Sequence, residues 1–180
     1  MKNLTFIFLF LCSTVALTQE RFAVDVFFNP SSSSVNEGNV NQQSAFHTLI
    51  NVSVEMKQTN SGYFFLGQSA EYANFLDGAY FRLAFLRAGY TFNEFLLRRM
   101  TASAAINYGL TRRWSQGFTN YGATFDISYR FSDRLKLASL FQIVRRNDLE
   151  IPMGINRKSI HSLGFFVGIK FNLFAIGNMI

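Results

Sequence analysis

Two histidines, one cysteine and a thin scatter of charge are the reactive inventory of this 180-residue chain. His161 stands beside Ser162, and a histidine next to a hydroxyl is the pairing that nucleophilic acyl transfer uses. Both fall in a run of alternating character, where adjacent side chains point to opposite faces. No carboxylate is close in sequence to orient the ring, as a triad needs. An enzyme is therefore not the expected reading. His47, the other histidine, also sits at the end of an alternating run. Cys12 is the only cysteine and belongs to the N-terminal segment, so the rest of the chain has no disulfide or zinc framework. There is no metal-ligand cluster, phosphate loop or nucleic-acid motif, and no cofactor is expected.

The charges are more informative. Asp25, Glu55, Glu71, Arg82, Arg87, Asp126, Arg130 and Lys170 occupy the polar side of alternating runs. If that side is enclosed, charges of both signs must pair, because an unpaired buried charge is costly. A plug of salt bridges is expected, with Asp25, Arg87 and Asp126 near mid-height and Glu55, Arg130 and Lys170 lower. An ion path is the alternative. A second basic group, Arg112, Arg113, Arg145, Arg146, Arg157 and Lys158, falls at strand ends. Arginine forks suit phosphate oxygens, so a phosphate-binding collar is one reading and ordinary snorkelling at a membrane boundary the other.

Positioning these residues requires β-strands. From Tyr121 to Phe131 the chain alternates without a break, with Tyr121, Ala123, Phe125, Ile127, Tyr129 and Phe131 on one side. That period of two defines a strand with two different faces. Ser132-Asp133-Arg134 turns the chain into a second run at Leu135, so a hairpin is predicted. Similar runs cover about 21–29, 44–57, 62–73, 79–92, 97–111, 135–146 and 159–174. The run over 62–73 is the least regular, since Tyr63-Phe64-Phe65-Leu66 is apolar on both sides. The run over 79–92 changes phase at Phe85-Leu86. A β-bulge there keeps Arg82 and Arg87 on the same face.

Eight runs result. The connections after the second, fourth and sixth are short. Those after the first, fifth (112–119) and seventh are longer, and the one after the third is short. Tight turns at one end and longer loops at the other mark a transmembrane barrel. Alternation alone also fits an inverted, lipocalin-like soluble barrel with a ligand cavity. Two features favour the membrane form. The polar side of 97–111 (Thr101, Ser103, Ala105, Asn107, Gly109) is small and uncharged, as a narrow interior requires. Aromatics also gather at the two sets of ends, as interfacial girdles do. Tyr90, Phe92, Phe95, Tyr129, Phe131, Phe171 and Phe174 mark one end, and Tyr80, Trp114, Phe118 and Tyr121 the other.

Lys2, the apolar stretch from Leu4 to Leu11 and the small residues near Ala16-Leu17-Thr18 form a cleavable signal peptide over 1–18. Residues 19–180 are then one exported, cysteine-free domain, with 22 phenylalanines in the whole chain. The fold class is all-β: an eight-stranded antiparallel up-and-down transmembrane β-barrel behind a signal peptide.

With its signal peptide, its alternating strands and turns such as YRFSDRLKL and GYTFNEFLL, the mature chain resembles the small eight-stranded outer-membrane β-barrel family. That family includes the OmpX- and OmpA-type barrel domains. The phenylalanine-rich style is similar to that of Bacteroidetes outer-membrane proteins. The resemblance implies residence in a bacterial outer membrane and contact with its lipid and lipopolysaccharide, and possible association with other outer-membrane proteins. It also implies an aromatic that assembly machinery reads in the last strand, matched by Phe171 or Phe174. The expected role is non-enzymatic: a structural protein or an interaction platform through the loops 30–43 and 147–158. A narrow pore or an accessory subunit of a secretion or assembly complex is the alternative, and a lipid-modifying enzyme a more distant one.

Overall fold

Alternating sequence becomes eight strands: β1 (Gln19–Phe28), β2 (Phe46–Met56), β3 (Gly62–Phe75), β4 (Gly78–Phe92), β5 (Met100–Arg113), β6 (Gln116–Arg130), β7 (Leu135–Arg145) and β8 (His161–Ala175). The computed structural model describes residues 19–30, 46–56, 59–75, 78–113, 116–132, 134–145 and 161–175. Residues 1–18, where a signal peptide is expected, and most of the two long connections lie outside them. Each strand pairs antiparallel with its sequence neighbour, and β1 pairs with β8 to close the barrel. Closure leaves no unpaired sheet edge, which a strand structure in lipid requires.

Closure is sheared. Starting at Val144, the register runs through Gly122, Asn107, Arg87, Gly67, Ser53 and Ala23 to Asn172. The Asn172 amide then donates to the carbonyl of Arg134. One circuit therefore returns to β7 ten residues lower (144 to 134). This tilts the strands and leaves an interior just wide enough for side chains.

The faces are unambiguous. Outward-pointing Phe64, Ile106 and Leu163 are 62, 68 and 81% exposed, whereas inward-pointing Arg82 and Arg87 are each 2% exposed. Apolar residues outside and charges inside is the arrangement of a membrane-spanning barrel, so the inverted, soluble arrangement is not the one adopted. The interior also holds an apolar sector, Phe27, Leu49, Ala138, Leu140 and Phe166, from β1, β2, β7 and β8.

The phase change in β4 is a bulge. The register shifts between Ala84 and Leu86 against β5 and between Gly67 and Ser69 against β3. Phe85 and Leu86 both face outward, and Arg82 and Arg87 both face inward. Gly109 lies opposite this irregularity, where a Cβ would stand 2.0 Å from the Leu83 carbonyl oxygen. The apolar run Tyr63–Leu66 also resolves by alternation, with Tyr63 and Phe65 inside and Phe64 outside.

Two expectations need correction. Of the expected loop 112–119, residues 112–113 and 116–119 belong to strands. β5 continues to Arg113 and β6 begins at Gln116, with Thr111 opposite Phe118 and Arg112 opposite Gly117. Polar residues suit strand ends that stand clear of lipid, and Asn120 Nδ2 donates to Thr111 Oγ1 (2.9 Å) to fasten the pair. Tyr80 does not belong to a girdle: it is 3% exposed and points inward.

The rim carrying both chain ends is called lower here, and the opposite rim upper. At the lower rim Phe64, Tyr90 and Phe92 stack edge to face at 4.8 Å, and Tyr129 meets Phe131 at 5.2 Å. At the upper rim Phe28, Phe46 and Tyr72 form a chain at 6.2 and 6.5 Å. Trp114 lies outside the described residues.

Candidate functional site

The inner face brings the charges together in two groups. In the upper group Glu71 of β3 is the hub. Its Oε1 accepts from the Tyr80 hydroxyl (2.5 Å) and lies 2.8 Å from His47 Nε2. Its Oε2 accepts from Gln142 Nε2 (3.0 Å) and pairs with Arg82 Nη1 (2.9 Å). Asn29 Nδ2 donates to His47 Nδ1 (3.2 Å), which leaves the ring proton on Nε2 to donate to Glu71. One carboxylate thus ties β2, β3, β4 and β7 across the lumen. The edge of His47 meets Phe166 at 4.7 Å, so the hub rests on the apolar sector.

In the lower group Lys170 Nζ donates to Asp126 Oδ1 (2.7 Å) and lies 3.9 Å from Asp25 Oδ2. Lys170 is opposite Asp25 in the register, so it stands beside the mid-height aspartates rather than below them. The Arg87 guanidinium lies over the Phe65 ring at 4.6 Å. Lys136 Nζ donates to the Tyr63 hydroxyl (3.4 Å). These inward aromatics offer π-faces and a hydroxyl to cations that are out of water. Glu55 is buried among them, and Arg130 is half-buried near the lower mouth. The cavity they enclose is about 20 Å³, room for roughly one water molecule.

Hydroxyl pairs fasten the small side of the barrel: Thr91 to Ser103 (3.0 Å) and Thr101 to Ser128 (2.7 Å). Among the described residues, no group of His, Cys, Asp and Glu is arranged to hold a metal ion. The hydroxyl beside the His47–Glu71 pair is that of Tyr80, and its proton goes to Glu71. The geometry of these described residues cross-links strands. Ser162 points inward opposite Val144, and the side chain of His161 lies outside the described residues.

No family model and no curated protein matches the chain. Solved structures do. The chain is similar to Neisserial surface protein A (NspA), with 12% identity and a TM-score of 0.50 over 84% of this chain and 96% of that one. It is also similar to the Yersinia pestis outer membrane protein Ail, solved in a phospholipid bilayer nanodisc. There the identity is 10% and the TM-score 0.50, over 86% of this chain and 100% of that one. The fold is that of the small eight-stranded outer-membrane barrels.

Outside the lumen the basic residues of the upper rim divide. Arg112 points outward and is exposed. Arg145 Nη1 donates to the Tyr121 hydroxyl (2.9 Å), with its guanidinium 5.5 Å from that ring's centre. Arg113 ends β5, and its side chain lies outside the described residues, as do Arg146, Arg157 and Lys158. The sequence reading missed His47, Tyr63, Tyr80, Lys136 and Gln142 as lumen residues. Each is in phase with an inner residue it did assign or could have: Tyr80 with Arg82, His47 with Glu55. In β7 the apolar inner residues Leu140 and Val144 hid the phase that carries Lys136 and Gln142 inside.

Proposed function

We propose that the mature chain is a non-enzymatic integral protein of a bacterial outer membrane, a rigid barrel that serves as a structural element or as an interaction platform through the loops of its upper rim. The observation that carries this reading is the division of the wall: a charged, cross-linked interior behind an apolar exterior bounded by aromatics. Such a wall is stable in lipid and unstable in water. With the lumen filled, the surfaces left for recognition are the loops and the lipid-facing wall. Loops held on a rigid scaffold are where binding concentrates. The signal-like N-terminus supplies the export that this location needs.

The test is fractionation followed by electrophoresis of boiled and unboiled samples. The chain is expected in the outer-membrane fraction and migrates differently after boiling, because a closed barrel resists detergent until heated. Recovery in the soluble periplasmic fraction without a mobility shift would overturn the proposal.

A further inference from the structure

Arg87 and Lys136 differ from the other cations of the lumen. Among the described residues neither has a carboxylate oxygen within ion-pair distance, whereas Lys170 reaches Asp126 at 2.7 Å and Asp25 at 3.9 Å. Arg87 has the Phe65 ring, and its Nε has no hydrogen-bond partner. Lys136 has the Tyr63 hydroxyl at 3.4 Å and that ring's centre at 5.9 Å. Ring faces offset only part of the cost of taking a cation out of water. Both side chains are buried, Arg87 to 2% exposure, and both line the lower cavity of about 20 Å³.

The charge balance points the same way. The upper group is neutral within itself, Arg82 against Glu71. In the lower group Arg87, Lys136, Lys170 and Arg130 stand against Asp25, Glu55 and Asp126, which leaves one positive charge in excess. In a medium of low polarity such an excess draws a counter-ion. Size and sign then limit what the ion can be. The cavity holds a body of roughly one water's volume, which a bare halide approaches and a phosphate, sulfate or carboxylate exceeds. Asp25 and Glu55 also line it, so a second negative charge is repelled.

We propose that the lower cavity is a binding site for one halide-sized monovalent anion, such as chloride, held by Arg87 and Lys136. The ion enters through the lower mouth, where Arg130 is half-buried. The apolar sector and the Glu71 hub stop it above, so the site retains the ion without conducting it. Two buried cations from β4 and β7 thereby gain a shared counter-charge that the chain itself does not supply. The site requires only the closed barrel and is independent of what the loops bind.

The experiment compares urea midpoints of the refolded barrel in sodium chloride and in sodium gluconate at equal ionic strength. The wild-type midpoint is expected to rise with chloride and saturate, as binding to the folded state alone requires. Lys136→Gln raises the half-saturating chloride concentration about tenfold, the equivalent of one hydrogen bond to a charged group. Arg87→Gln abolishes the chloride response. Gln142→Leu, in the upper group, lowers both midpoints alike and keeps the response. Crystals soaked in sodium bromide give the direct reading, one anomalous peak in the lower cavity of the wild type. Boiled and unboiled gels verify that each variant folds, and if Arg87→Gln does not, Lys136→Gln and the bromide map still decide. Equal wild-type midpoints in the two salts, an unsaturating response shared by every variant, or a bromide map without a peak in the cavity overturns the site. The outer-membrane reading stands in each of those cases.

Discussion

Glu71 is a single carboxylate with four neighbours, His47, Tyr80, Arg82 and Gln142. A carboxylate at 4% exposure survives because both oxygens are saturated. Its removal strands Arg82, which is 2% exposed and has no other carboxylate within ion-pair distance among the described residues. Breaking one side of a buried pair costs about 3–5 kcal/mol. Glu71→Ala is therefore expected to lower the stability of the barrel by that order in urea titrations of vesicle-refolded protein. Gln142→Leu removes one hydrogen bond and should cost about 1 kcal/mol. Equal midpoints for Glu71→Ala and the wild type would remove the hub from any account of stability. The sequence placed Glu71 and Arg82 on the polar side, since period two is a local property. It could not pair Glu71 with Gln142, because that contact joins β3 to β7 across the lumen and depends on the shear.

β4 shows how one residue sets the chemistry of a whole strand. Phe85 and Leu86 face outward in succession, and this keeps Arg82 and Arg87 both inside. The phase change was legible because the apolar side switches between two clean alternations. At native length, strict alternation without the bulge would put one of the two arginines, five residues apart, on the lipid face. That costs about 2–4 kcal/mol at the bilayer midplane. Deleting Phe85 removes the extra residue, so alternation is restored with both arginines still inside. The deletion variant is therefore expected to keep a heat-shifted folded band when refolded into vesicles. Loss of that band would mean that the bulge itself, and not only the inward phase of the arginines, is needed to close the barrel. The β5–β6 hairpin was the opposite case. Arg112 to Thr119 has the composition of a loop, yet the ladder continues through it to Gln116 opposite Arg113. Above the membrane a strand no longer needs an apolar side, so hydrophobic alternation fades before the hydrogen bonds do.

Across the whole barrel, the eight strands and ten-residue shear leave an interior of fixed width, and its fillers are arranged in tiers. The Glu71 hub crosses the lumen from β2 to β7. Phe27, Leu49, Leu140 and Phe166 pack beside it with exposures of 0–1%. Below, Lys170 joins Asp25 and Asp126. A hydrated ion would have to break paired charges and displace packed rings in sequence, and the lower cavity of about 20 Å³ offers it roughly one water's volume. Purified protein in planar bilayers is therefore expected to give no single-channel steps at any moderate voltage. Arg87→Ser or Asp126→Asn alone should leave that silence intact, because the Glu71 tier and the apolar sector still close the path. Reproducible steps from the wild type, altered by either substitution, would instead make the lower charges the lining of a pore. The tiers would then have to part in the membrane, and the Glu71 hub is the contact whose rupture would open them.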